Sequence, residues 1–115
     1  MLFICYPKCT TCQKAEKWLN DKGLSYTKRD IKVDNPTYDE LKTWFEKSGL
    51  DIKKFFNTSG LLYKSMNLKD KLASMNEEEK LKLLSSNGML VKRPIVITDN
   101  NVLVGFREKE WEQNL

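Results

Sequence analysis

The two thiols in Tyr6-Pro7-Lys8-Cys9-Thr10-Thr11-Cys12-Gln13-Lys14-Ala15 form the stretch of this chain best equipped for chemistry. A thiolate is a strong nucleophile, and a second thiol three residues along a helix lies on the same face, within disulfide reach. The apolar run before the pair, Leu2-Phe3-Ile4-Cys5-Tyr6, reads as a buried strand. Behind it, Cys12, Ala15, Trp18 and Leu19 recur at helical spacing. Cys9 therefore falls where a strand turns into a helix. The unpaired N–H groups and positive dipole end there favour a thiolate over a thiol. A cysteine so placed can have its pKa lowered from ~8.5 to between ~3.5 and ~7.5. Lys8 adds a cation beside it.

The chain has no histidine. That excludes Cys-His and Ser-His catalysis and any imidazole metal site. Activation of Cys9 must come from the helix terminus and from cations. Cys5 lies inside the first strand and is expected in the core. Three thiols without histidine leave a zinc site short of a fourth ligand, so no metal is expected. An odd cysteine count also suits a working thiol pair better than a structural disulfide framework.

The elements that must position the pair can be read from the remainder of the chain. Its 115 residues, 40% hydrophobic and 31% charged, predict one globular domain over 1–115. No apolar run approaches the ~20 residues of a membrane span, so no membrane association is expected. The chain opens directly on a strand without an apolar leader, and a cytoplasmic location is expected. Net charge is +4, but the lysines are scattered over polar helix faces, so no direct nucleic-acid binding is expected.

Lys22-Gly23 stops the first helix, and Leu24 to Ile31 reads as a second, less buried strand parallel to the first. After Asn35-Pro36, Thr37-x-x-Glu40 is a capping box for a helix with Tyr38, Leu41, Trp44 and Phe45 on its apolar stripe and Gly49 at its end. Short helices are expected over Ile52–Phe56 and around Leu61–Met66. A second capping box, Asn76-x-x-Glu79, opens a helix over Glu77–Ser86 that Asn87-Gly88 ends. Arg93 to Thr98 is a strand opened by proline, Asp99-Asn100-Asn101 a turn, and Val102-Leu103-Val104 the antiparallel return. A final helix is expected over Lys109–Leu115.

This order, βαβ then a helical block at about 36–88 then ββα, describes an α/β chain with a mixed four-stranded sheet: a thioredoxin-like fold carrying a helical insertion. Cys-x-x-Cys sits where that fold places its redox motif. Pro94 sits where the fold has a cis-proline beside the cysteines, and a cis Arg93–Pro94 bond is expected.

The sequence resembles the small thioredoxin-fold arsenate reductases (ArsC type) and their Spx-type regulator relatives. The resemblance rests on Tyr6–Ala15, Asn57-Thr58-Ser59-Gly60-x-x-Tyr63-Lys64, Leu84–Met89, Lys92-Arg93-Pro94-Ile95 and Val104-Gly105-Phe106-Arg107. In family members that reduce arsenate, the first cysteine attacks the oxyanion and arginines bind its oxygens. By that resemblance Cys9 is the nucleophile and Arg93 and Arg107 are two of the arginines. Lys64 takes the place of the third. Lys8 and Thr11, flanking Cys9, join the candidate substrate-binding residues, and Pro94 is structural at the site. A guanidinium offers a planar fork to a tetrahedral oxyanion and also stabilises a nearby thiolate. The chain has only three arginines among its 20 basic residues, and two of them fall at these positions.

The reductases carry His-Asn before the cysteine and Gly-Thr-Ser-Arg after it, where this chain has Tyr6-Pro7-Lys8 and Thr10-Thr11-Cys12-Gln13. Cys12 matches the second cysteine of the Spx-type members, whose pair acts as a thiol–disulfide switch. The resemblance thus implies a thiol–disulfide oxidoreductase, with Cys12 resolving the adduct formed at Cys9. Its substrate would be a protein disulfide or a small molecule such as arsenate. It would need no resident cofactor but an external thiol reductant, glutathione/glutaredoxin or thioredoxin. The other implied role is a redox-sensing regulator that binds the RNA polymerase α subunit, although such regulators usually have a longer C-terminal tail.

Overall fold

Strand β1 (Leu2–Cys5) lies inside a four-stranded sheet of order β2-β1-β3-β4. It pairs in parallel with β2 (Thr27–Asp30), Leu2 opposite Thr27 and Cys5 opposite Asp30. On its other side it runs antiparallel to β3 (Ile95–Ile97), which pairs antiparallel with β4 (Val102–Val104). The computed structural model describes residues Met1–Leu115. Its mixed four-stranded sheet and the order of its elements are those of the α/β, thioredoxin-like fold. The edge strand β2 is shorter than its polar-apolar pattern suggested, because Leu24–Tyr26 lead into it without pairing.

Alternation along β1 sends Phe3 and Cys5 to one face and Ile4 to the other. The first face packs under α1 (Thr10–Asp21) through Cys12, Ala15, Trp18 and Leu19, with Val96, Leu103 and Trp111 completing the cluster. Ile4, Ile95 and Val102 belong to the larger core on the opposite face. There they meet the helical block between β2 and β3: α2 (Tyr38–Ser48), α3 (Leu61–Ser65), α4 (Leu68–Lys71) and α5 (Glu77–Ser86). Both capping boxes form, Thr37 with Glu40 and Asn76 with Glu79. Helix α6 (Glu108–Asn114) closes the chain and buries Trp111.

Three local features differ from the sequence pattern. Helix α4 was not legible: Asn67 takes a left-handed conformation (φ 53°) that restarts the chain as helix, and Leu68 and Leu72 turn inward. Ile52–Phe55 is a 3₁₀ turn, capped by Asp51. Gly88 follows α5 but has no positive φ. Glycine is needed there because a Cβ would overlap the Ile31 carbonyl and press on Asn35.

The third arginine holds the insertion to the sheet. Arg29 of β2 grips Glu40 of α2 with two hydrogen bonds (2.6 and 2.9 Å), donates to the Asp34 and Asn35 carbonyls, and lies 5.9 Å over Trp44. At its other end the insertion is stitched to the approach of β3. Asn57 N–H donates to Leu90 O (2.8 Å), Lys92 N–H to Phe55 O (2.7 Å), and Phe56 bridges Val91.

Candidate active site

The turn before α1 is fixed by its own hydrogen bonds. Cys9 N–H donates to Tyr6 O (2.9 Å), and the Gln13 side chain reaches back to Pro7 O (2.9 Å). Cys9 is left with extended backbone (φ −84°, ψ 122°) at the N-cap of α1, and its carbonyl accepts the Gln13 N–H (3.0 Å). No side chain caps this helix, so its first amides are free to face the Cys9 sulfur. Cys9 is half-buried. Cys12 is only 2% exposed, and its sulfur accepts the Tyr6 N–H at 3.4 Å. All three cysteines are free thiols.

The two thiols have opposite acidities. Burial opposes ionisation of Cys9, but the Cys12 N–H and thiol, the Arg93 guanidinium and the Thr11 N–H outweigh it and lower its pKa. Cys12 is pushed up to about 12, chiefly by burial, with the neighbouring Cys9 adding to the rise against the opposing Tyr6 N–H bond. Cys5 is raised as well, mainly by burial. One thiol is made more acidic than usual and its neighbour is held as a thiol.

Arg93 and Pro94 approach from the segment before β3, and the bond between them is cis. The Arg93 guanidinium lies 5.1 Å over the Tyr6 ring, with one terminal nitrogen, Nη1, buried and unpartnered. Arg107 stands at the N-cap of α6, and its side chain is exposed. Its corner is held by Gly105, whose left-handed backbone (φ 79°) lets its N–H reach Pro94 O (2.8 Å) and its carbonyl accept Trp111 Nε1 (3.1 Å). Phe106 stacks edge-on against Trp111 at 4.8 Å.

These elements enclose a cleft of about 1120 Å³. Cys9, Thr11, Arg93 and Arg107 line it together. Lys8 and Lys64 do not. Lys8 is exposed on the turn before α1, and Lys64 is exposed on α3, where its neighbour Tyr63 is the residue turned into the core. The loop Asn57-Thr58-Ser59-Gly60 also lines the cleft, its turn closed by the Gly60 N–H donating to Asn57 O (3.0 Å). Sequence reasoning did not assign this loop, the Tyr6 platform under Arg93, or Lys53, Lys54 and Lys92 on the rim. The loop's position within the resembling stretches was the one signal for it. No cluster of three His, Cys, Asp or Glu side chains forms that could hold a metal, and no helix is long and apolar enough to cross a membrane.

Residues 5–114 match the model of the ArsC family. The chain belongs to the ArsC family. Among its relatives is the uncharacterized protein YusI of Bacillus subtilis strain 168, 51% identical over 99% of this chain and 97% of YusI. The global transcriptional regulator Spx of Staphylococcus epidermidis RP62A is 29% identical over 90% of this chain and 78% of Spx. Among solved structures, an ArsC family related protein from Bacteroides fragilis superposes with a TM-score of 0.95. It is 57% identical, with 97% of this chain and 94% of that one covered. This ArsC-family chain thus shares its fold with the Bacteroides fragilis protein and resembles in sequence a transcriptional regulator.

Proposed function

We propose that this protein is a thiol–disulfide oxidoreductase in which Cys9 is the nucleophile and Cys12 the resolving cysteine. The observation that carries the reading is the opposite acidity of two thiols one helical turn apart, Cys9 lowered at the N-cap of α1 and Cys12 raised beneath it. With a disulfide substrate, the Cys9 thiolate attacks one sulfur, the S–S bond breaks, and the departing thiolate takes a proton from water. Cys12 then gives up its proton and attacks the Cys9 sulfur, releasing the second substrate thiol. The protein is left with a Cys9–Cys12 disulfide, and the substrate has gained two electrons. An external dithiol reductant of the glutaredoxin or thioredoxin type restores both thiols.

A small oxyanion such as arsenate fits the same sequence of steps. The Cys9 sulfur would displace one oxygen as water, and attack by Cys12 on that sulfur would leave the electron pair on arsenic. Arg93 and Arg107 would hold the remaining oxygens, with Thr11 at the same wall. Pro94 supports this wall through its carbonyl, which accepts the Gly105 N–H. This mechanism needs neither Lys8 nor Lys64, which do not line the cleft.

The test is alkylation of Cys9 against pH, in wild type and in Arg93→Ala. Cys5 and Cys12 are both 2% exposed, so the fast phase reports Cys9. The rate should rise well below the pH at which an ordinary cysteine ionises, and the rise should move to higher pH in the variant. An inflection at the ordinary value of about 8.5 in both proteins would remove the activated nucleophile.

The likeness to Spx favours a second reading, a redox-sensing regulator whose Cys9–Cys12 disulfide alters a surface that binds the RNA polymerase α subunit. Pull-down with that subunit under oxidising and reducing conditions separates the two. Failure to bind in either state would eliminate the regulator.

A further inference from the structure

The cleft is larger and more cationic than a small oxidant requires. At about 1120 Å³ it exceeds the ~300–1,000 Å³ usual for small-molecule sites. Besides Arg93 and Arg107 it is lined by Lys53 and Lys54 of the 3₁₀ turn and by Lys92, opposed only by Asp51 and Glu110. The ion pairs of the chain involve Lys17, Lys22, Lys28, Arg29 and Lys82, so none of the five basic side chains in the cleft is paired with a carboxylate. A concave surface lined by one sign of charge raises the local concentration of the opposite sign.

The rim is also apolar. Leu61 is 87% exposed and Leu50 38%, two of only three large hydrophobic residues left open to solvent on the whole chain, and Leu62, Met89 and Phe106 continue the lining. An inorganic oxyanion makes no use of exposed leucines. A small uncharged disulfide makes none of the lysines on the 3₁₀ turn. A segment of polypeptide bearing acidic and apolar side chains uses both.

We propose that the substrate of Cys9 is a disulfide carried on an acidic, extended segment of another protein, with Lys53 and Lys54 holding its carboxylates and Leu61 an apolar side chain. The inference rests on the oxidoreductase reading above and names its substrate class. Cys9 attacks the segment's sulfur, Cys12 resolves the mixed disulfide, and the segment leaves as a thiol with the two electrons the pair has lost.

Two synthetic peptides test it, Glu-Asp-Leu-Cys-Leu-Glu-Asp and its amide twin Gln-Asn-Leu-Cys-Leu-Gln-Asn. Each carries its cysteine as a mixed disulfide with pyridine-2-thiol, so that attack on the peptide sulfur releases the chromophore pyridine-2-thione. Single turnovers use pre-reduced protein, and uncharged dipyridyl disulfide serves as the small reference substrate. The acidic peptide should react about three- to tenfold faster than its twin at low ionic strength, the gap closing as salt is added. Lys53→Glu combined with Lys54→Glu should abolish or invert that preference while leaving the dipyridyl disulfide rate unchanged. Both lysines are exposed and unpaired, so the fold is not expected to suffer. Leu61→Ser should slow the two peptides alike. Equal rates for the two peptides, or a double variant that slows dipyridyl disulfide in parallel, would overturn the proposal and leave the cleft to small oxidants. Failure of the underlying thiol chemistry is seen separately, as no thione released from dipyridyl disulfide by the wild type.

Discussion

Cys12 should be almost inert until Cys9 has reacted, and the structure sets the size of the effect. Its pKa stands near 12 against an ordinary 9.0, three units, or roughly 4 kcal/mol in favour of the thiol. At pH 7 its thiolate fraction is then on the order of 10⁻⁵, about a thousandfold below that of an unperturbed cysteine. Burial is the largest cause and persists throughout the cycle. The contribution of Cys9, through its charge and the hydrogen bond between the two sulfurs, vanishes once Cys9 is in a mixed disulfide. On the proposed mechanism Cys12 is therefore easier to ionise once the mixed disulfide at Cys9 has formed. Limited iodoacetamide treatment of the reduced protein at pH 7, followed by peptide mass spectrometry, should find Cys9 modified at least about a thousandfold faster than Cys12. In Cys9→Ser, the rise of thiolate absorbance in the ultraviolet attributable to Cys12 (with Cys5 replaced by Ala) should begin at lower pH than in the Cys5→Ala parent after the Cys9 step. Comparable alkylation of the two thiols in the wild type, or an unmoved Cys12 transition in Cys9→Ser, would refute the reasoning.

Glu40 should control acid stability. Arg29 holds its carboxylate down to about 2, so the stability it contributes is complete above the ordinary value of 4.5 and is lost as pH falls from there towards 2. The Glu40 side chain is 35% exposed, which reduces the full shift to about 1–2 kcal/mol after allowing for solvent screening. Glu40→Gln keeps the capping box but removes the charge facing Arg29. Urea unfolding should show it less stable than wild type by about that amount at pH 7, the difference fading near pH 2; a penalty independent of pH would exclude the ion pair as its cause. Gly105→Ala forces a side chain onto a left-handed backbone at a cost of about 1–2 kcal/mol and loosens the corner bearing Arg107. Thermal unfolding should fall by several degrees and KM for an anionic substrate should rise more than kcat falls; an unchanged Tm would show that the corner is not strained.

Residues close in sequence were legible because local chemistry decides them. The strand–turn–helix around Cys9, the two capping boxes, and the Asp99–Asn101 turn each depend on hydrogen bonds spanning a few residues, and each lies where its residues indicate. The boundary at Asn67 failed the same kind of reading. A single left-handed asparagine between two short helices leaves no periodic signal, and burial of Leu68 and Leu72 by distant elements decides the outcome. Lys64 is a different case. Its motif neighbours suggested a substrate role, but the side chain that the core needs at that turn is Tyr63, and on a helix of five residues this directs Lys64 to solvent.

What the sequence by itself determined is the order of elements, a thiol pair at a helix start in a chain without histidine, and two of three arginines near the ends of the last strands. What only the tertiary structure decided is which charges meet. Arg29 spends its guanidinium on Glu40, whereas Arg93, Arg107 and three lysines converge on one cleft, none of them paired with a carboxylate, from segments up to 54 positions apart in the chain. Bonds within a turn act over a few ångströms of contiguous chain and so leave a mark in sequence spacing. The amides of α1 that lower the Cys9 pKa are of that kind, whereas the Arg93 contribution depends on β3 pairing with β1, and no spacing encodes it.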